Sequence, residues 1–239
     1  MIDQLKEDLN NLANPEQAKI LQGFFKTGKG GYGEGDIFLG IKVPEQRKIA
    51  RKYRNLPLEE VQHLLNSRVH ELRLVGLLIL VEQFPKNKKE IFEFYLKNAK
   101  RVNNWDLVDL TAPKIIGAYL KDKDRSILYI LANSQNLWER RISMLATFHF
   151  IRDNDFSDAM KIAEILLSDK QDLMHKAVGW MLREIGKRDL KAEERFLKKH
   201  HKQMPRTTLR YAIERFEETK RQAYLKGLDS ISVNQESDL

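Results

Sequence analysis

The 239-residue chain contains no cysteine. That excludes disulfides, thiolate metal sites and a cysteine nucleophile, and it suits a reducing compartment. Breakers are scarce too: six prolines and twelve glycines, five of the latter crowded into "GKGGYGEG" (28–35). No segment alternates apolar and polar residues between hairpin turns, so a sheet is not expected. Long apolar runs are also missing. The most hydrophobic stretch, "LRLVGLLILVEQF", is shorter than a bilayer span and flanked by charge. The opening "MIDQLKEDLNNLANPEQAK" is amphipathic and lacks the apolar core of a signal peptide. A cytoplasmic protein without membrane segments is the expectation.

Hydrophobic residues make up 42% of the chain and charged residues 32%, a balance that folds and stays in solution. The net charge is +8, and it is unevenly placed. Between Lys170 and Lys226 stand 16 Lys and Arg against 8 Asp and Glu, so this stretch carries the whole excess. Such asymmetry points to a polyanionic partner, nucleic acid being the commonest. A solubilising basic surface accounts for the charge alone equally well.

Helical periodicity runs almost throughout, and it repeats. Taking Arg73 in "HELRLVGLLIL" as a marker, comparable positions recur at Asp106, Arg141, Lys176 and Thr208, with spacings of 33, 35, 35 and 32 residues. Each marker precedes a small or apolar stripe and follows a connector and another amphipathic helix. A two-helix unit of that length predicts an all-α fold, an α-solenoid with a concave basic groove. Residues 1–226 read as a single repeat domain, and the polar, acidic 227–239 as a loose tail. Pro44 and Pro57 read as first-turn prolines of new helices, and "FPKN" (84–87) as a loop.

If the marker helices line the concave face, Arg73, Asp109, Arg141, Lys176, Arg183 and Arg210 belong to one wall or its rims. Lys and Arg across successive repeats would track a phosphate backbone. Any one of them serves equally well as a solvating or capping charge. Trp105 and Asp109 in "NNWDLVDL" stand four residues apart, hence on one face of a helix. Tryptophan at helical spacing is more often core than ligand-binding, and Trp180 lies in an apolar stretch, "AVGWML". "GKGGYGEG" has neither Walker nor dinucleotide spacing and reads as a connector. Adjacent His200 and His201 match no zinc motif and read as surface residues.

Taken together and in order, "NNWDLVDL", "LWERRISML", "HKAVGWMLREIGK" and "PRTTLRYAIERF" resemble the DNA alkylation repair family of HEAT-like repeat DNA glycosylases, the AlkD-like proteins. The likeness runs from about "FLGIKVPEQR" to "RYAIERF". It implies a monomer without metal or organic cofactor that excises cationic alkylpurines, N3-methyladenine and N7-methylguanine, from double-stranded DNA. The family's catalytic aspartate matches Asp109, and its sugar-contacting tryptophans match Trp105 and Trp180. Its arginine matches Arg141, with Arg140 adjacent; beside that match, Lys176, Arg183 and Arg210 are read as DNA contacts from their place along the marker helices. Most glycosylases extrude their base, whereas the resemblance implies a base that stays stacked. A family tyrosine from the early helix falls near Phe24 or Phe25, so the chain is expected to lack that hydroxyl.

The chemistry suits these residue types. A purine alkylated at N3 or N7 is already cationic and leaves without a general acid. The difficulty is the positive charge that builds on the deoxyribose, which a carboxylate near C1′ stabilises while it orients water. Tryptophan faces exclude solvent and favour cationic character. Two other readings of the scaffold stand beside this one: a non-catalytic binder of damaged or branched DNA, and a protein–protein scaffold.

Overall fold

The computed structural model describes residues 1–227, so the expected tail lies outside the described residues except for Gly227. Among the described residues the regular elements are helical, and the β contact present is an isolated parallel bridge between Ile37 and Val69. No helix among them is long and apolar enough to cross a membrane. The chain forms two compact units that divide after Lys123.

The first unit holds α1 (Ile2–Asn10), α2 (Pro15–Phe24), α3 (Val43–Lys52), α4 (Leu58–Leu65), α5 (His70–Gln83), α6 (Lys88–Lys97), α7 (Trp105–Ala112) and the short α8 (Ala118–Leu120). Its centre is α5, which is apolar all round and buries every residue from Arg73 to Leu80. A helix with no polar face needs partners on all sides, and α3, α4, α6 and α7 supply them. Asn14 caps α2 by accepting from the Gln17 amide at 2.9 Å. Pro44 does sit in the first turn of α3, while Pro57 is the residue that caps α4. The "FPKN" loop falls between α5 and α6 as expected.

The second unit holds α9 (Ser126–Ala132), α10 (Leu137–Ala146), α11 (Phe148–Arg152), α12 (Ser157–Leu166), α13 (Asp172–Gly186), α14 (Leu190–His200), α15 (Arg206–Ala212) and α16 (Glu218–Leu225). Here α13 is central, flanked by α10 on one side and α15 on another. A Cβ on Gly179 would come within 2.4 Å of the Thr208 carbonyl, so only glycine permits that approach of α15.

All five sequence markers lie near the start of their helices, on α5, α7, α10, α13 and α15. Within each unit these second helices pack on one another, α5 with α7, α10 with α13, and α13 with α15. The register is one residue off the sequence reading, however. Arg73 donates to the Ser67 carbonyl at 2.9 Å, and Arg140, not Arg141, makes the same 2.9 Å bond to the Ser134 carbonyl. "NSRVHELR" and "NSQNLWER" are therefore the equivalent segments. His200 and His201 also differ from expectation, being 6% and 5% exposed. His200 bonds Glu164 at 2.8 Å and packs on Phe196, while His201 bonds the Leu197 carbonyl at 2.8 Å. A long-range bond to the Glu164 side chain and a local bond to the preceding turn give each ring a polar partner inside the fold.

Candidate active site

Helix α7 is positioned at its first residue. Asn104 is fully buried and its side-chain oxygen accepts from the Trp105 amide at 2.8 Å. The helix then turns Asp106, Leu107, Val108, Thr111 and Ala112 inward, leaving Trp105 and Asp109 half-buried one turn apart. Behind them lies Tyr95, fully buried, its hydroxyl 2.9 Å from Thr111 Oγ1. Burial pushes the Tyr95 phenol up; the Thr111 bond works against this, and the Asp109 charge adds to the rise. The carboxylate thus borders an apolar interior on one side and solvent on the other.

Trp105 is held on several sides. Phe25 stacks on the indole at 5.1 Å and 13° between planes, and Phe24 meets it edge-on at 5.8 Å. The indole N–H donates to the Tyr32 hydroxyl at 3.2 Å, which donates to the Phe24 carbonyl at 3.3 Å. A hydroxyl is therefore present beside Trp105 after all. It comes from the glycine-rich segment and not from the early helix, which supplies phenylalanine as the sequence indicated. Phe24 itself is 59% exposed, an unusual position for a phenylalanine.

The glycine-rich segment turns several of its amides onto its own turns. Its amides at Gly30, Gly31, Glu34, Gly35 and Asp36 bond to Glu34, Gly28, Gly31, Thr27 and Gly33, respectively. The segment leads into Asp36, whose side chain lies in a buried cluster with Arg73, His70 and Asp106. Asp36 accepts from Arg73 at 2.6 Å and lies 3.5 Å from His70 Nδ1, while His70 Nε2 lies 2.8 Å from Asp106. The His70 ring also stacks on Phe38 at 4.5 Å. Burial pushes the imidazole down, but the bonds to Asp106 and Asp36 outweigh it and hold His70 above its usual value. Burial likewise pushes Asp36 up, and His70 and Arg73 outweigh it, leaving the carboxyl below its usual value.

The signs give a pH window. A raised histidine contributes stability that is complete below its unfolded pKa, about 6.5, and is lost as pH rises through the higher folded value. A depressed aspartate contributes stability present above about 3.9 and lost as pH falls through the lower folded value. The cluster is thus most stabilising between those limits. We expect His70→Gln to cost about 2 kcal/mol at pH 5.5 and clearly less at pH 9. Urea midpoints of both proteins at the two pH values check this; a gap independent of pH would contradict the assignment.

The remaining expected site residues stand in the second unit, on three adjacent helices. Arg140 lies on α10, its Nε 2.6 Å from Asp169. Arg141 is 5% exposed and donates to the Leu173 carbonyl at 2.5 Å. On α13, Lys176 pairs with Asp172 at 2.8 Å and Arg183 with Glu214. Trp180, half-buried on the same helix, donates to Glu184 at 3.2 Å and packs obliquely on Phe148 at 5.8 Å. Arg210 on α15 is exposed. Trp105 and Asp109 are brought together in the first unit, the other six in the second. Sequence reasoning missed Tyr32, His70 and Asp36, whose partners lie 34 to 73 residues away in the chain.

A family model described as DNA alkylation repair enzyme matches residues 5–216. Among solved structures, the chain is similar to a predicted DNA alkylation repair enzyme from Enterococcus faecalis, at 18% sequence identity. That match has a TM-score of 0.68 and covers 85% of this chain and 96% of the other, a likeness of fold. No curated protein matches the sequence.

Proposed function

The chain belongs to the DNA alkylation repair enzyme family, and on that premise we propose that it is a DNA glycosylase. It excises cationic alkylpurines, N3-methyladenine and N7-methylguanine, from duplex DNA. The observation that carries this reading is the pairing of Trp105 and Asp109 on the half-exposed face of α7. The solenoid reading with its basic groove, and a single repeat domain over residues 1–226, belong to the same proposal. Packing of successive second helices within each unit supports the repeat part of it.

In the reaction the C1′–N bond breaks and its electron pair neutralises the departing purine. Cationic charge develops on the deoxyribose, and the Asp109 carboxylate stabilises it electrostatically. The same carboxylate orients the water whose oxygen bonds C1′, its proton passing to solvent, so the products are free base and an abasic site. Phe25 already covers one face of the Trp105 indole, so the ring has its other face for the sugar. Trp180 is assigned the second sugar contact by the family pattern. Arg140, Arg141, Lys176, Arg183 and Arg210 are the proposed phosphate contacts. Arg210 is exposed as it stands, whereas the other four hold intramolecular partners that a phosphate has to replace.

The test is release of free base from methylated duplex DNA by the full chain, with duplex affinity measured across salt concentrations. We expect 3-methyladenine or 7-methylguanine in the free fraction and an affinity that falls steeply with salt, because phosphate contacts release counterions. Salt-sensitive binding without release would instead mark a non-catalytic DNA binder. Absence of both would mark a protein scaffold.

A further inference from the structure

We propose that the glycine-rich segment 28–35 is a positioning arm, and that Tyr32 is its working residue, fixing the orientation of the Trp105 indole. This inference rests on the reading of Trp105 as an aromatic wall against the sugar. A tryptophan on a helix has two χ angles, and stacking against Phe25 leaves rotation in the common plane unresolved. The bond from its Nε1–H to the Tyr32 hydroxyl supplies the missing constraint. Because that hydroxyl is itself tied to the Phe24 carbonyl, the tyrosine is anchored to the end of α2.

The glycines are where this geometry needs them. A Cβ on Gly31 would lie 1.9 Å from the Lys26 carbonyl, and one on Gly33 would lie 2.5 Å from the Phe25 carbonyl. These two residues flank Tyr32 and press the arm onto the end of α2 so that the ring reaches Trp105. Gly30 and Gly35 have φ of +78° and +83°, which turn the chain into and out of the arm. Gly28 is different: a Cβ there meets nothing within 4 Å, and its φ is not positive. Beyond the arm, Asp36 is secured by Arg73 and His70, and His70 reaches Asp106, the residue after Trp105. The arm therefore holds Trp105 directly, and the residue that follows the arm, Asp36, is linked to Asp106 only through His70.

Tyr32→Phe, Gly33→Ala and Gly28→Ala test the arm in the full chain. The readouts are single-turnover release of 7-methylguanine, duplex Kd, melting temperature and the indole N–H resonance of Trp105, assigned with Trp105→Phe. Tyr32→Phe and Gly33→Ala should slow release by on the order of tenfold or more. Duplex Kd should change by less than about twofold and Tyr32→Phe should melt within about 3 °C of wild type, as for one half-exposed hydrogen bond. Both should shift the Trp105 resonance, and Gly28→Ala should change neither rate nor resonance. Wild-type release by Tyr32→Phe would overturn the proposal, as would slowed release with the Trp105 resonance unmoved. If the wild type releases no base, the glycosylase reading fails by itself, and the resonance still decides the arm. A shift in Tyr32→Phe and Gly33→Ala alone supports it, and no shift overturns it.

Discussion

Glu71→Ala should lower stability by about 4 kcal/mol, a fall in Tm of roughly 10 °C for a chain of this size. Glu71 is 0% exposed at the start of α5, and its carboxylate accepts from three successive amides, Leu39 at 3.0 Å, Gly40 at 2.8 Å and Ile41 at 3.3 Å. Truncation strands two buried donors, Gly40 and Ile41, and a part-buried one, Leu39, at once, and the buried pair cost their full desolvation. The same turn also holds α2, because the Leu39 carbonyl accepts from the Asn14 amide at 2.8 Å. Gly40 has φ of +83°, and a Cβ there would sit 2.2 Å from the Asn14 carbonyl, so the turn cannot relax around another residue. Glu71→Gln should cost less, since its oxygen can still serve Gly40 and Ile41 while its NH2 faces the Leu39 amide, donor against donor. Thermal melts followed by circular dichroism order the three proteins; an unchanged Tm in Glu71→Ala would contradict the account of this turn.

Much of the architecture is legible in the sequence because local chemistry decides it. Helical periodicity and the scarcity of breakers give an all-helical chain, and marker spacings near 34 residues give the order of paired helices. The Trp105–Asp109 pair is legible for the same reason, since four residues along a helix fix a common face. Long-range chemistry is not. Arg73 and Arg141 look like surface cations, yet they are 3% and 5% exposed, bonded inside the fold to Asp36, the Ser67 carbonyl and the Leu173 carbonyl. Two adjacent arginines hide the repeat register, and only hydrogen bonds to Ser67 and Ser134 separate Arg140 from Arg141. Glycine content alone cannot tell a slack connector from a tightly folded arm. That distinction requires the neighbours of Gly31 and Gly33, which no local pattern contains.

Asp109→Asn isolates the central claim, because it removes the charge while keeping the shape. If the carboxylate stabilises cationic charge on the sugar, its loss should be confined to the chemical step. Electrostatic groups of this kind are worth about 10²–10³ in rate. Binding should not suffer, since a carboxylate repels nearby phosphates and its neutralisation relieves that repulsion. The measurement is therefore single-turnover release of 7-methylguanine from methylated duplex, wild type beside Asp109→Asn, with duplex Kd determined for both at one salt concentration. The account predicts release by the wild type, a loss of roughly two to three orders of magnitude in the variant, and a Kd equal or slightly tighter. Release by Asp109→Asn at the wild-type rate would contradict it.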